Sequence, residues 1–214
     1  AAREKGRVGP GPAGQVQPGA SLKRLAPAFL LLALACARTE PGVFGPNEAG
    51  LILIYENPSL PEAQRTEQRQ QLRVEASKAA EGGLMVRRSY SSLSSPPMDL
   101  VTFHRDGGTA LVRPDGSARL QVLPEGFPDR VRSWEVQGTR YRVLGRAEAR
   151  LPLTLPAEQR LGVWVEAAPA KGPRTRVLYL PGLGEVESLV QEGAGWICVN
   201  RLVSRGFADA PIRR

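Results

Sequence analysis

Residues 100–123, LVTFHRDGGTALVRPDGSARLQVL, hold three runs of alternating or apolar residues, parted by Asp106-Gly107-Gly108 and by Pro114-Asp115-Gly116. Both separators are tight-turn sequences, because glycine accepts positive φ and proline presets the first turn residue. The stretch therefore predicts two successive hairpins. The same rhythm extends outward in both directions. GLILIYEN at 50–57 is apolar enough for a central strand, and further strands are expected at VRSWEVQ, TRYRVLGRAEARLPL, GVWVEAA, RTRVLYL, EVESLVQ and GWICVNRLVS. Short strands between regular turn signals, with no helical stretch of comparable strength, mark an antiparallel β domain. The expected fold is all-β: a single antiparallel, curved sheet of many short strands, half-barrel or sandwich-like.

One segment reads two ways. Residues 61–80, PEAQRTEQRQQLRVEASKAA, open with a proline suited to a first helical turn, and Leu72, Ala76, Ala79 and Ala80 recur at helical spacing. That reading makes the fold α+β with one helix at 61–80. Leu72, Val74 and Ala76 also alternate with Arg73, Glu75 and Ser77, and LMVRRSYSS follows Gly82-Gly83. A hairpin over 69–91 fits this better and is the favoured reading.

Ahead of the strands, the order is basic, apolar, small: Lys23 and Arg24, then Phe29 to Leu32, then Ala33-Leu34-Ala35-Cys36. The run from Ala26 to Cys36 is about half the roughly 20 residues needed to cross a membrane, and Pro27 sits inside it, so it reads as a secretory signal. Cys36 falls at the cleavage point, and the pattern resembles the lipobox of bacterial lipoproteins, whose cysteine is acylated; ordinary signal cleavage is the alternative. Residues 1–20 are rich in glycine and proline and cannot build a core. The expected organisation is an extension and signal peptide over 1–35, a lipid-anchored flexible tether over 36–49, a β domain over 50–206 and a tail over 207–214.

The whole chain carries 29 basic and 21 acidic side chains, a net charge of +8. Setting aside residues 1–35 removes five basic groups and one acidic group, leaving 24 against 20, a net of +4. The remaining arginines are scattered along strands, as Arg140 and Arg142 are, rather than gathered with aromatics as nucleic-acid binding requires. No nucleic-acid partner is expected. About 165 residues suffice for one cored domain. With Cys36 acylated, Cys198 has no disulfide partner and reads as a small apolar filler.

Catalytic signatures are sparse. The chain has one histidine, His104, which excludes zinc sites built on several histidines and leaves a Ser-His-Asp triad without a Gly-x-Ser-x-Gly elbow. His104 itself reads as a hairpin residue. GLGEVE at 182–187 lacks the third glycine of a dinucleotide fingerprint, and no P-loop or calcium loop occurs. On a regular strand Glu185 and Glu187 would share one face about 7 Å apart, within the range of paired glycosidase carboxylates. Val186 between them points the other way, as an ordinary amphipathic strand requires, and that is the favoured reading. No enzyme, cofactor or metal site is expected. Trp134, Trp164 and Trp196 fall in separate strands, where a curved sheet could gather them as the lining of an apolar pocket; core filling is the competing reading.

The C-terminal third carries a resemblance. Gly145 and Glu148, Leu155-Pro156-Ala157, Tyr179, Gly182-Leu183-Gly184 with Val186, and Leu202-Val203-Ser204 follow a pattern similar to that of exported bacterial β-sheet proteins and lipoproteins of unassigned function. Glu158 and Leu178 replace that pattern's turn glycine and tryptophan. The resemblance covers residues 141–204 and implies a curved sheet akin to the half-barrels of lipoprotein carriers, which hold acyl chains on the concave side. Together these readings point to a non-enzymatic lipoprotein of the bacterial cell envelope. It would be anchored through Cys36, face the periplasm or exterior, and bind an apolar or lipid ligand or an envelope protein partner. The alternative is an accessory structural subunit of a larger envelope assembly.

Overall fold

The computed structural model describes residues 43–93, 95–113, 116 and 118–208. Cys36, the signal segment, the first part of the tether, Pro114, Asp115 and residues 209–214 lie outside them. The described strands are β1 (Leu51–Glu56), β2 (Gln70–Ala80), β3 (Gly83–Ser92), β4 (Ser95–Arg105), β5 (Gly108–Val112), β6 (Arg119–Leu123), β7 (Ser133–Val136), β8 (Thr139–Glu148), β9 (Leu161–Pro169), β10 (Thr175–Leu180), β11 (Gly184–Glu192) and β12 (Gly195–Phe207). All twelve pair antiparallel in one sheet, ordered β6-β5-β4-β3-β2-β1-β12-β11-β10-β9-β8-β7. A single curved sheet, and not a sandwich, is the architecture.

The hairpin reading of 69–91 holds: β2 and β3 pair from Gln70↔Ser92 to Ala80↔Gly83. Among the described residues, helix is confined to the short α1 (Glu62–Glu67), which follows Pro61 and buries no residue, with one further 3-10 turn at Ala157–Gln159. The reason is burial. As strand, β2 places Leu72 and Val74, at 2% and 0% exposure, on the core, and burying such side chains is worth about 1.5–3 kcal/mol each. Three hairpins turn on adjacent positive-φ residues, Glu81-Gly82, Asp106-Gly107 and Gln137-Gly138, with φ near 48° and 74°. This is the turn whose twist matches the strands it joins.

β1 and β12 lie side by side, from Leu51↔Phe207 to Glu56↔Arg201, so two meanders spread from this central pair and curl toward each other. Their outer strands meet where Trp134 Nε1 on β7 donates to the Val122 carbonyl on β6 at 3.1 Å. The sheet is thus nearly closed and barrel-like. Phe127, which follows β6, meets Trp134 on β7 at 5.8 Å and Tyr179 on β10 at 6.2 Å, both edge to face, which identifies the face carrying them as concave. Two clusters form the core. One joins Leu51, Leu53, Leu72, Val74, Val86 and Leu202 to Leu178, Leu180 and Leu183. The other joins Phe44, Leu123, Phe127, Val143, Val163 and Val165.

The described end of the tether is packed. Val43 and Phe44 are buried, the Val43 carbonyl accepts from Gly182 N–H at 2.8 Å, and Phe44 meets Phe127 edge to face at 5.0 Å. Glycine at position 45 makes this approach feasible: a Cβ there would lie 2.5 Å from His104 Cε1 and 2.7 Å from Arg88 Nη2. Residues 43–46 are therefore a strap across the sheet, a correction to a tether running as far as 49.

Candidate functional site

Sheet register decides which aromatic side chains can meet. Trp134 pairs with Tyr141, and Tyr141 with Ala167, so Trp134 shares the concave face with Val165. There it stacks on Tyr141 with centroids 5.2 Å apart and planes at 5°, and meets Phe127 edge to face. Trp164 is one residue from Val165 and so takes the opposite, outer face. Trp196 joins it there: Trp196 pairs with Gln191, Leu189 with Arg176, and Arg176 with Glu166. The structure brings Trp164 and Trp196 to one face and places Trp134 on the other, so the three do not line one concave pocket.

The outer face has a pocket of its own. It measures about 240 Å³ and is lined by Leu144, Gly145, Arg146, Trp164, Arg176 and Leu189. Its origin is a bulge in β8 between Val143 and Gly145 that sets Gly145 directly opposite Trp164. With no side chain at 145, and nothing within 4 Å of where a Cβ would stand, space is left beside the indole. Leu144, the extra residue, borders it.

Beside this pocket stands Glu166, only 7% exposed at its side chain although on the outer face. Arg142 on β8 and Arg176 on β10 are its direct cross-strand partners, and their guanidinium groups lie 3.3 and 3.0 Å from its carboxylate; Arg174 approaches to 3.8 Å. Arg176 also lies over the Trp196 ring at 4.0 Å. A cation over an indole face is held by the ring quadrupole. Scattered in sequence, these arginines converge because every second residue of adjacent strands shares a face.

The concave face carries a second polar group. Arg88 is 7% exposed, forms no ion pair among the described residues, and donates to His104 Nε2 at 2.8 Å. Burial lowers its pKa to about 10, so it remains a cation at neutral pH. His104 is 1% exposed; burial first, and the Arg88 charge second, lower its pKa to about 3. Thr102 Oγ1 also lies 2.9 Å from Nε2, and Thr109 Oγ1 lies 3.0 Å from Nδ1. Nearby, Tyr55 donates to the Glu185 carbonyl at 2.9 Å. Burial, then Tyr90 and Glu185, raises the Tyr55 phenol well above its ordinary value. No sequence signal marked Arg88, because a strand arginine reads as solvent-facing until its face is known.

Glu185 and Glu187 separate. The register of β10 and β11 shifts so that Tyr179 faces Glu185 while Leu178 faces Glu187. Val186 is the extra residue, and the two carboxylates go to opposite faces. Glu185 accepts from Ser188 and Asn200, whereas Glu187 pairs with Arg201 at 2.7 Å. The shared-face geometry expected for a regular strand does not form. Cys198, near Glu187, has its thiol pushed up by burial. Among the described residues, no three metal-ligating side chains gather.

No protein-family model matches the chain, and no curated protein matches it significantly. Among solved structures, the fold is similar to that of a Bacteroides fragilis protein described as exported and YmcC-like in fold, at 11% identity and a TM-score of 0.50, covering 77% of this chain and 99% of that one. A Parabacteroides distasonis protein described as a lipoprotein aligns over the same shares at 9% identity and a TM-score of 0.49. At such identities the first likeness speaks to fold alone.

Proposed function

We propose that the chain is a non-enzymatic, lipid-anchored protein of the bacterial cell envelope whose β domain is a binding module, with the Trp164 pocket as its ligand site. The observation that carries the binding half is that pocket: an apolar wall of Trp164, Leu144 and Leu189, set on paired strands and kept open by Gly145. Pockets with apolar walls and a few convergent polar groups are where ligands bind. On the concave face Leu53, Val74, Val86, Val143, Val163 and Val165 are buried, with Phe127 and Tyr179 beside them, which favours the outer pocket over an acyl-filled lumen. The address rests on the signal pattern ending at Cys36, and the Bacteroides fragilis protein of similar fold is described as exported.

Native mass spectrometry of the full chain, isolated from a bacterial envelope, tests both halves. An acyl-modified Cys36 and a co-isolating apolar ligand lost in Trp164→Ala are expected. An unmodified cysteine behind an uncleaved leader would overturn the address, and a ligand indifferent to Trp164→Ala would overturn the site.

A second reading, an accessory subunit of an envelope assembly, draws on the β3–β4 hairpin tip. Leu93 in the turn is 82% exposed and Met98, a few residues along β4, is 55% exposed; exposed apolar side chains near one hairpin tip favour a protein contact. Cross-linking in intact envelopes with a photoreactive residue at 93 should capture one protein partner reproducibly. Monomer alone in every fraction removes this reading.

A further inference from the structure

The geometry points to an oxyanion site on the outer face: a phosphate or carboxylate group, carried by a ligand whose apolar part rests against Trp164, is held by the arginines around Glu166. This rests on the binding role proposed for the Trp164 pocket and names the chemistry of its ligand.

Charge is the first argument. Arg142, Arg174 and Arg176 gather around Glu166, and Arg146, which lines the pocket with Arg176, has Asp129 as its partner. Four cations against two anions leave a local excess of +2. The hydrogen-bond inventory agrees: each guanidinium has five N–H donors, whereas a carboxylate offers about four acceptor positions. Glu166 cannot satisfy three guanidinium groups. Arg142 and Arg174, 67% and 59% exposed at their side chains, keep donors directed to solvent.

Preorganisation is the second. Glu166 is flanked by Arg142 and Arg176 on the neighbouring strands, and Arg176 is held against Trp196. The buried Glu166 side chain is a fixed acceptor on which the guanidinium groups converge, a role that an amide oxygen at the same place keeps. Planar guanidinium forks match the paired oxygens of carboxylates and phosphates. Arg146 and Arg176 line the Trp164 pocket itself, so an anion at the cluster and an apolar group at the indole can belong to one ligand. A free phosphorylated or carboxylated compound and an anionic lipid headgroup present this same chemistry.

The test titrates the full chain with inorganic phosphate, read by tryptophan fluorescence, and measures its retention by phosphatidylglycerol and by phosphatidylcholine vesicles. Comparing variants with the parent cancels any contribution of residues 1–42. A saturable phosphate response is expected, weakened roughly tenfold or more in Arg142→Gln/Arg174→Gln, where two exposed charge-assisted donors are lost. Glu166→Gln, which removes the competing negative charge, should bind several-fold tighter. Phosphatidylglycerol retention that falls in the arginine variant, with phosphatidylcholine unchanged, assigns the anion to a headgroup; a response to phosphate alone assigns it to a free compound. A parent answering neither probe, or Glu166→Gln weakened alongside the arginine variant, overturns the inference. An apolar ligand still lost with Trp164→Ala would then leave the binding role of the pocket standing.

Discussion

Arg88 donates to His104 Nε2 across 2.8 Å in the buried face of the sheet, and that contact settles the tautomer of the imidazole. A guanidinium has no acceptor, so Nε2 must be the unprotonated nitrogen. Nδ1 then carries the hydrogen and donates to Thr109 Oγ1 at 3.0 Å. The ring's lone pair is already engaged, which leaves His104 a structural acceptor and not a proton carrier.

The pH dependence follows. The folded-state pKa of His104 is lowered to about 3, against about 6.5 in the unfolded chain. Between these values the unfolded state binds the extra proton, so stability rises with pH across that window, by up to about 1.4 kcal/mol per pH unit. The contribution is complete above pH 6.5 and lost as pH falls toward 3. Because the chain has one histidine, its ring resonances in proton NMR report the site directly. They should stay at neutral positions down to pH 4; a midpoint near 6.5 contradicts the tautomer.

Removing one member of the pair should cost more than removing the other. His104→Ala leaves a buried guanidinium without its hydrogen-bond acceptor, a loss of about 3–5 kcal/mol. Arg88→Met replaces the cation with an apolar chain of similar reach and leaves Thr102 beside Nε2 at 2.9 Å. Its cost should stay below about 2 kcal/mol. Urea titration of both variants checks the order, and equal losses would mean that the charge is compensated elsewhere.

Gly45→Ala probes the strap. Its Cβ would press on His104 and Arg88 from below 3 Å, so a loss of about 1–3 kcal/mol is expected, as for other overpacked sites. Faster proteolysis within 43–46 should accompany it. Gly206→Ala, on an exposed stretch of β12 with nothing within 4 Å of its Cβ position, is the counterpart and should be neutral or slightly stabilising.

Trp134→Phe tests the closure of the sheet. It keeps an aromatic ring against Tyr141 but removes the donor to the Val122 carbonyl. A loss of about 1 kcal/mol is expected, with amide exchange accelerated in β6 and β7 and unchanged in β1 and β12. Uniform acceleration across the sheet would show that the contact is not a local joint.

The sequence made the hairpins readable because their turns are chemically marked. Asp106-Gly107 supplies the two positive-φ residues that such a turn needs, and alternation in 69–91 outweighed helical spacing. What alternation could not reveal were the bulges. One extra residue at Val186 or Leu144 reverses every side chain beyond it, which is why Glu185 and Glu187 part company and why Gly145 comes to face Trp164. Nor could a single strand disclose that Arg142, Glu166 and Arg176 form one row, since that depends on which strands are neighbours. The strap was hidden for a similar reason: Gly and Pro in PGVFGP mark irregular backbone whether it lies loose or is clasped by the sheet.

That strap has a mechanical meaning. Val43 grips the β10–β11 turn through Gly182, Gly45 rests on β3 and β4, and Phe44 reaches Phe127 beyond β6. A pull on the chain upstream of Val43 is thus shared between opposite walls before any tension reaches β1. The domain is braced like a cask with a bolt across its mouth, and resists being unravelled from the end by which it would be held.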